Sequence, residues 1–265
     1  MYAIGERING MFRAVGAAIR EQNPEPIQEL AKAQLDAGAQ ALDVNVGPTA
    51  EDPLAAMEWL VKAIREVTEA PLAIDTTNPG VMRKGLELAG PRSIINSTKG
   101  QQEQLDIFIP MAVEHEATLI ALMIDENGVP RDANGRSEIA LRVVAAAMEK
   151  GLDPSRVMID GVILPVNVTQ ATPGQVLETI RNIKVLSDPP PKTVLGLSNV
   201  SQGTMQRELI NRTYLVMALA AGLDAAIGDV LDTDLMDAMI TAELLMDRAV
   251  YADDFLKAYR ASVQG

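Results

Sequence analysis

Polar side chains follow the short apolar runs of this chain, and their types restrict the chemistry that they could perform. They are mostly carboxylates, carboxamides and hydroxyls. Asp, Asn and Ser also cap helices that follow strands, so each residue alone has a structural explanation. Eight such positions together are better explained as one binding site. The residues are Glu6, Arg7 and Asn9; Asp43 and Asn45; Asp75; Asn96; Asp125; Asp160; Ser198 and Asn199; and Asp229.

This set of side chains is suited to binding a flat heterocycle. A carboxylate accepts two parallel hydrogen bonds from a ring N–H and an exocyclic amine, and a carboxamide serves an edge with both donors and acceptors. Reduced pterins have such edges. Magnesium is the competing ligand, because three or four carboxylates at one opening can hold this ion. The residue types alone leave both alternatives open.

The absence of cysteine and the presence of one histidine exclude other chemistry. Disulfides, thiolate metal sites, iron–sulfur ligation and cysteine nucleophiles are ruled out. We predict no metal site, and we interpret His115 as a residue at the end of a helix. Schiff-base aldolase chemistry is disfavoured, because Lys99 is the one lysine directly at a predicted strand end.

The elements that position these residues are predicted to be eight strand–helix units. Apolar runs that fit strands alternate with segments of helical period along the whole chain. Eight such units favour a (β/α)₈ TIM barrel, in which the strand C-terminal ends form the active site. We predict a single domain over residues 1–265. The predicted strands are Tyr2–Gly5, Ala39–Val46, Leu72–Asp75, Ser93–Asn96, Thr118–Ile124, Val157–Asp160, Val194–Leu197 and Ala225–Asp229.

Helix boundaries are marked by cap residues and glycines. A polar residue before proline predicts a helix start at Asp52-Pro53, Asn78-Pro79 and Thr172-Pro173, because the side chain can accept from a free backbone N–H while proline needs no partner there. Glycines favour left-handed C-caps. The predicted helix ends are at Gly38, Gly90, Gly151 and Gly222.

The 265 residues carry a formal net charge of −13. Such a surface repels phosphate backbones and anionic lipids, so nucleic acid and membrane are not expected as partners. The N-terminal sequence has no signal-peptide pattern and no apolar stretch is long enough to span a bilayer. These features predict a soluble, cytoplasmic protein.

Six segments occur in the order found in one family. Together they resemble the methyltetrahydrofolate:corrinoid/iron–sulfur protein methyltransferases of the pterin-binding barrel superfamily, over nearly the whole chain from Ile4 to about Tyr251. One Ile-Asp-Thr segment alone would be weak, whereas six in order are specific. The segments are Gly5–Gly10 (GERING), Leu42–Pro48 (LDVNVGP), Ile74–Thr77 (IDTT), Ile94–Thr98 (IINST), Met158–Asp160 (MID) and Leu195–Gln202 (LGLSNVSQ).

The resemblance implies a cytoplasmic homodimer that moves a methyl group between N5 of 5-methyltetrahydrofolate and the cobalt of a corrinoid on a partner protein. Asp75, Asn96 and Asp160 would hold the pterin ring. The resemblance also places Gly196 and Ser198 along the ring, Gln202 and Arg207 toward the cofactor tail or the opening, and Asn199 near the reacting nitrogen. Asp43 and Asn45 are further candidates for binding the folate.

A tertiary amine is a poor leaving group unless its nitrogen gains a proton or a strong hydrogen bond as the carbon–nitrogen bond breaks. The Asn199 amide can strengthen its hydrogen bond as charge develops, which stabilises the transition state. The proton is expected through water and Asp75 or Asp160, so we predict catalytic roles for these three residues. The length of the chain leaves no room for a corrinoid domain, which predicts a separate corrinoid protein.

Several alternatives remain open. The methyltransferase component of an O-demethylase or glycine-betaine system would move methyl from a methyl-corrinoid protein to tetrahydrofolate, with a similar pocket. Dihydropteroate synthase shares the barrel but needs a late basic cluster, which Ser198–Gln202 does not provide. A magnesium-dependent lyase would require metal, and a non-catalytic folate-binding regulator would not need Asn199.

Overall fold

The computed structural model describes residues 1–48 and 50–264, so that positions 49 and 265 of the predicted domain lie outside the described residues. Eight parallel strands form a closed barrel in chain order, as the sequence predicted. Pairing of β1 with β8, from Tyr2 opposite Ala225 to Gly5 opposite Gly228, closes it. The strands are β1 (Tyr2–Asn9), β2 (Ala41–Asn45), β3 (Leu72–Asp75), β4 (Ile94–Lys99), β5 (Thr118–Leu122), β6 (Val157–Asp160), β7 (Lys192–Gly196) and β8 (Ala225–Gly228).

Helices surround the barrel and cover its outer face. Within the described residues, no helix is long and apolar enough to cross a membrane. The helices are α1 (Arg13–Glu21), α2 (Glu25–Asp36), α3 (Pro53–Arg65), α4 (Pro79–Ala89), α5 (Gln102–Glu114), α6 (Ala133–Glu149), α7 (Thr172–Ile183), α8 (Arg207–Ala221), α9 (Thr233–Leu245) and α10 (Phe255–Gln264).

Side-chain alternation along the strands separates two apolar cores. Residues such as Leu42, Ile74 and Leu195 point outward and pack in the core that includes the helices. The inner core takes one residue from each strand: Ile4, Ala41, Ala73, Ile94, Ile120, Met158, Val194 and Ala225. Because strand side chains alternate with a period of two, the residue two positions later also points inward, at the C-terminal end of the barrel.

Several predicted boundaries differ from the structure. β1 continues to Asn9 and β7 begins at Lys192. Asn96 lies within β4 instead of at its end, because β4 continues pairing with β5 after a change of register between Asn96 and Thr98. The strands over Leu72–Asp75 and Val157–Asp160 are confirmed.

The predicted helix caps are confirmed at two of three positions. Asp52 accepts hydrogen bonds from the backbone N–H groups of Leu54 and Ala55, and Asn78 accepts from those of Gly80 and Val81. The cap predicted at Thr172 is wrong: this residue is already helical and buried, and Ala171 precedes the helix without a side-chain cap. All four predicted helix-end glycines have positive φ, and His115 ends α5 as predicted.

Candidate active site

A cavity of about 530 Å³ opens at the C-terminal end of the barrel. The second inward residue of every strand lines it: Glu6, Asp43, Asp75, Asn96, Leu122, Asp160, Gly196 and Ile227. The alternation of side chains along the strands therefore places four carboxyl groups and one carboxamide at the bottom of this cavity, which we call its floor. The end of β1, the loops and α8 add Arg7, Asn9, Phe12, Ser198, Asn199, Arg207, Glu208, Asn211, Asp229 and Asp232.

The structure brings most of the predicted site residues together. Asp43, Asp75, Asn96, Asp160, Gly196, Ser198, Asn199 and Arg207 all line the cavity. Asn45 does not line it but contacts Asp75 from the side. Gln202 is exposed and outside the lining. Asp125 also lies outside, because it forms a turn with Gly128 in the loop after β5.

Carboxylates and carboxamides alternate across β2, β3 and β4. The Nδ2 group of Asn45 donates to Asp75 Oδ2 over 2.6 Å, and Asn96 Nδ2 donates to Asp43 Oδ1 over 2.8 Å. The backbone N–H of Gly47 donates to Asn45 Oδ1 over 2.6 Å, so both ends of the Asn45 amide are engaged. These bonds leave one oxygen of Asp75 and the Oδ1 atom of Asn96 for a ligand.

Burial makes two of these acids hard to ionise. The pKa of Asp43 is raised well above its ordinary value by burial and by the nearby charge of Asp75, against the hydrogen bond from Asn96. The pKa of Asp75 is also raised by burial, and the bond from Asn45 opposes this. Like charges at short distance disfavour double ionisation, so the pair tends to hold one proton.

Asp160, on β6, differs from Asp43 and Asp75 because its hydrogen-bond partners are backbone N–H groups. The N–H of Val162 donates to its Oδ1 over 2.7 Å, and the N–H of Gly196 also bonds to the carboxylate. Burial raises the pKa of Asp160 to about 6 despite these bonds. At neutral pH the carboxylate can accept paired hydrogen bonds from a ring N–H and an amine.

Asn199 lies in a 3₁₀ turn, Leu197–Asn199, directly after β7. A Cβ atom on Gly196 would lie 3.0 Å from Asn199 Nδ2, so that glycine leaves room for this amide over the strand end. Arg207 donates to the Oγ of Ser201 and the backbone carbonyl of Ser198 over 3.3 Å each. The guanidinium group therefore holds the turn that carries Asn199.

Glu6 belongs to the polar residues predicted to form the site, but its residue type and position did not predict a specific role. Its carboxylate accepts a hydrogen bond of 2.6 Å from Ser198 Oγ, across 192 positions of the chain. Burial raises the pKa of Glu6, with a smaller opposing effect of the Ser198 bond. Side chains alternate along β1, so Glu6, two residues after the inward Ile4, could have been predicted to face the cavity. Its contact with Ser198 could not, because that contact depends on barrel closure.

Arg7 and Asn211 provide unsatisfied polar atoms at the same cavity. Arg7 forms a 3.2 Å ion pair with Asp229, and its guanidinium carbon lies 4.7 Å from the centre of the Phe12 ring. Arg7 Nε and Asn211 Oδ1 are buried without a hydrogen-bond partner. Because buried polar groups normally have partners and both residues line the cavity, these atoms are available to bond a ligand there.

A larger cavity of about 850 Å³ lies at the opposite end of the barrel, where the strands begin. Its lining includes Tyr2, Arg92, Arg156 and Lys192 but none of the predicted site residues. In the part of the chain that the structure describes, no group of three or more His, Cys, Asp or Glu residues is arranged to hold a metal ion.

Comparison with known proteins gives one family and several relatives. Residues 14–229 match the family described as pterin binding enzyme. The methylcorrinoid:tetrahydrofolate methyltransferase of Eubacterium limosum is 28% identical over 262 residues, which cover 98% of this chain and 96% of that protein. The methionine synthase of Mycobacterium tuberculosis is 32% identical over 236 residues, which cover 84% of this chain but 20% of that protein.

Solved structures of low identity share the fold. The Yersinia pestis DHPS structure has a TM-score of 0.68 at 14% identity and covers 93% of this chain and 94% of that chain. A dihydropteroate synthase from Coxiella burnetii gives a TM-score of 0.66 at 14% identity, with 92% and 94% covered. At such identity the likeness extends to the barrel fold alone.

Proposed function

The chain belongs to the family of pterin-binding enzymes, and on that premise we propose that it transfers a methyl group between N5 of a tetrahydrofolate and the cobalt of a corrinoid carried by a separate protein. The predicted enzyme class, a methyltransferase, is confirmed by the relatives, which are named as a methyltransferase and a methionine synthase. The corrinoid supplies the cobalt that gives or accepts the methyl group.

The observation that carries this proposal is the polar floor formed by Asp75, Asn96 and Asp160, with Asn199 on the same cavity. The pyrimidine part of a pterin presents an amine and a ring N–H side by side, which match the free carboxylate oxygens. The cavity volume also fits a bound heterocycle with its tail toward solvent. Arg207 is exposed near the opening, as a contact with an anionic tail requires.

In this proposal Asn199 acts on the transition state. The Nδ2 group of Asn199 lies over Gly196. A pterin ring stacked at the end of β7 would bring N5 close to this group. As the carbon–nitrogen bond breaks, negative charge develops on N5 and strengthens the hydrogen bond from the amide. Such a bond raises the rate more than it raises the affinity for the ground state.

The direction from methyl-corrinoid to tetrahydrofolate is a second candidate, and one observation favours it. The relative that matches almost end to end is named for transfer from methylcorrinoid to tetrahydrofolate. The pocket residues serve both directions, because the same transition state is crossed from either side. The corrinoid partner, the homodimer and the cytoplasmic location stay predictions.

A methyl-transfer assay with free cob(I)alamin tests the proposed function. The purified protein is mixed with 5-methyltetrahydrofolate and cob(I)alamin, and loss of the cobalt(I) absorbance is followed. We expect protein-dependent transfer, and the reverse reaction with methylcobalamin and tetrahydrofolate. Tight binding of the folate without transfer in either direction would favour a non-catalytic folate-binding protein instead.

A further inference from the structure

We propose that the Glu6 carboxyl group supplies the proton that the pterin nitrogen gains when its methyl group leaves, through the hydroxyl of Ser198. In the opposite direction the Glu6 carboxylate takes up that proton. The inference rests on the proposed function and assigns it a proton source that neither the sequence motifs nor the relatives' names identify.

The reaction needs an acid that is separate from Asn199. A carboxamide can donate a hydrogen bond, but it does not give up its proton near neutral pH. A carboxyl group of the cavity can supply this proton, directly or through a hydroxyl or water. The carboxyl groups that line the cavity are Glu6, Asp43, Asp75, Asp160, Glu208, Asp229 and Asp232.

Three of these groups accept hydrogen bonds from partners that do not titrate near neutral pH. Asp43 and Asp75 accept from carboxamides, and Asp160 accepts from backbone N–H groups. None of these partners can carry a proton onward.

The acids at the rim are occupied or unsuitable as well. Asp229 is held by Arg7 and by the N–H of Leu231, and Asp232 caps α9. Glu208 is exposed on the first turn of α8. Among the described residues, the partner of the Glu6 carboxylate is a hydroxyl, which can accept one proton while it donates another.

The barrel register brings Glu6 to the strand end that carries Asn199. Ile4 on β1 and Gly196 on β7 are both opposite Ile227 of β8. Glu6 is the next inward residue after Ile4, and Ser198 is the second residue after Gly196. The 2.6 Å bond from Ser198 Oγ to Glu6 therefore joins the acid to the turn that ends in Asn199.

The surroundings hold the proton on Glu6 more firmly than water would. Burial and the charge of Asp229 raise the pKa of Glu6, whereas Ser198, Arg207 and Arg7 lower it, and the net direction is upward. Asp43 on β2 faces the same region, since Glu6 in turn raises its pKa. An acid with a raised pKa is closer to the operating pH, as efficient proton transfer requires.

The proposed step balances atoms and electrons. The bond between N5 and the methyl carbon breaks, and its electron pair stays on N5. Nitrogen takes the hydroxyl proton of Ser198, which takes the proton of Glu6 and leaves a carboxylate. The methyl carbon receives an electron pair from cobalt(I), which is formally oxidised to cobalt(III). Solvent returns the proton to Glu6 before the next turnover.

Single-turnover transfer from 5-methyltetrahydrofolate to cob(I)alamin, measured from pH 5 to 8, tests this role. For Glu6→Gln we expect the rate to fall about 100-fold or more, since general acids contribute about 10²–10⁴-fold. Affinity for methyltetrahydrofolate should stay within about threefold, because Glu6 does not hold the ring. The decrease in rate with rising pH that is due to Glu6 should disappear.

Two more variants and a control distinguish a proton-transfer role of Glu6 from a structural role. Glu6→Asp keeps a carboxyl group and should restore part of the lost rate together with its pH dependence, whereas Ser198→Ala should lower the rate at least about tenfold. Glu178→Gln removes an exposed carboxylate on α7 and should match the wild type.

Retention of rate and pH dependence by Glu6→Gln would overturn the inference. Parallel loss of rate and folate affinity would do so as well, since Glu6 would then hold the ring. Failure of the proposed function has a different signature, because the wild-type protein itself would not transfer methyl.

Discussion

At the scale of single residues, the proposed reaction gives Asp160 and Asn199 different roles. Asp160 is buried with 8% exposure and would offer a carboxylate to the ring, whereas Asn199 is exposed and lies over the strand end. A residue that contacts the ring equally in ground and transition states changes affinity. A residue whose bond strengthens as N5 becomes charged changes the rate.

This division predicts different kinetics for two substitutions. Asp160→Ala should weaken methyltetrahydrofolate binding strongly, because two ring donors lose their acceptor. Asn199→Ala should keep binding within about tenfold and lose about 100-fold or more in the rate of transfer. Titration calorimetry and single-turnover kinetics measure the two effects, and equal loss of binding in both variants would contradict the role of Asn199.

The raised pKa of Asp160 also predicts how stability depends on pH. The unfolded carboxyl ionises near pH 4, but the folded one holds its proton up to about pH 6. Between these values the unfolded state loses protons first, so the free energy of unfolding falls as pH rises. At neutral pH the buried carboxylate costs up to about 3 kcal/mol.

Asp160→Asn removes this cost and keeps an oxygen for the Val162 bond. The difference in unfolding free energy between the variant and the wild type should increase by about 1–3 kcal/mol, in favour of the variant, when the pH is raised from 4 to 7.5. Urea unfolding at both pH values measures this difference. Glu178→Gln, which alters an exposed carboxylate, serves as the control. A stability difference that is the same at both pH values would argue against a charged, buried Asp160.

At the scale of elements, the loops after β1 and β2 depend on each other. Gly10 donates its N–H to the carbonyl of Asn45 over 2.8 Å, and a Cβ atom on Gly10 would lie 2.1 Å from the carbonyl oxygen of Val46. The neighbouring Gly47, at φ +80°, donates to Asn45 and so helps to hold Asp75. Close approach of these two loops therefore supports the floor of the site.

Gly10→Ala should separate the loops. We expect a loss of about 1–3 kcal/mol in stability, as for overpacked sites, together with weaker folate binding because Asn45 no longer fixes Asp75. Gly174→Ala in α7 is the matched control, since its Cβ would contact nothing within 4 Å and the change should be neutral or slightly stabilising. Thermal unfolding and a binding titration distinguish the two variants.

Element positions were more predictable than element ends. The period of apolar residues is local, so the strands that end at Asp75 and Asp160 could be predicted to the residue. The end of β4 could not, because its pairing with β5 after Asn96 depends on a register change between two strands. Likewise the cap predicted at Thr172 failed because burial of that residue is a tertiary property.

At the scale of the whole molecule, one barrel encloses one inner core, and β1–β8 pairing joins the two ends of the sheet. We propose that the chain unfolds as a single domain. Calorimetry should give one unfolding transition instead of two separate ones. Two separable transitions would contradict a single domain, and a variant such as Gly10→Ala should shift the whole transition.

The carboxylate-rich cavity also predicts how the whole enzyme responds to chelators. Its acids are bonded to carboxamides, hydroxyls and backbone N–H groups, and their raised pKa values reflect burial. Methyl transfer with purified protein should therefore survive EDTA treatment with unchanged rate. A loss that added Mg²⁺ restores would favour the lyase alternative, and Ca²⁺ addition controls for general ionic effects.

Residue types and their spacing were enough to predict the (β/α)₈ barrel and the polar residues at the ends of its strands. These depend on residue type and on periods of two and 3.6, which are local. The contacts within the site became evident from the folded barrel: Asn45 holds Asp75, Asn96 bonds to Asp43, Gln202 lies outside the cavity, and Ser198 reaches Glu6. Such contacts depend on strand register, barrel closure and burial, because these bring residues far apart in the chain into contact and set the pKa of their carboxyl groups.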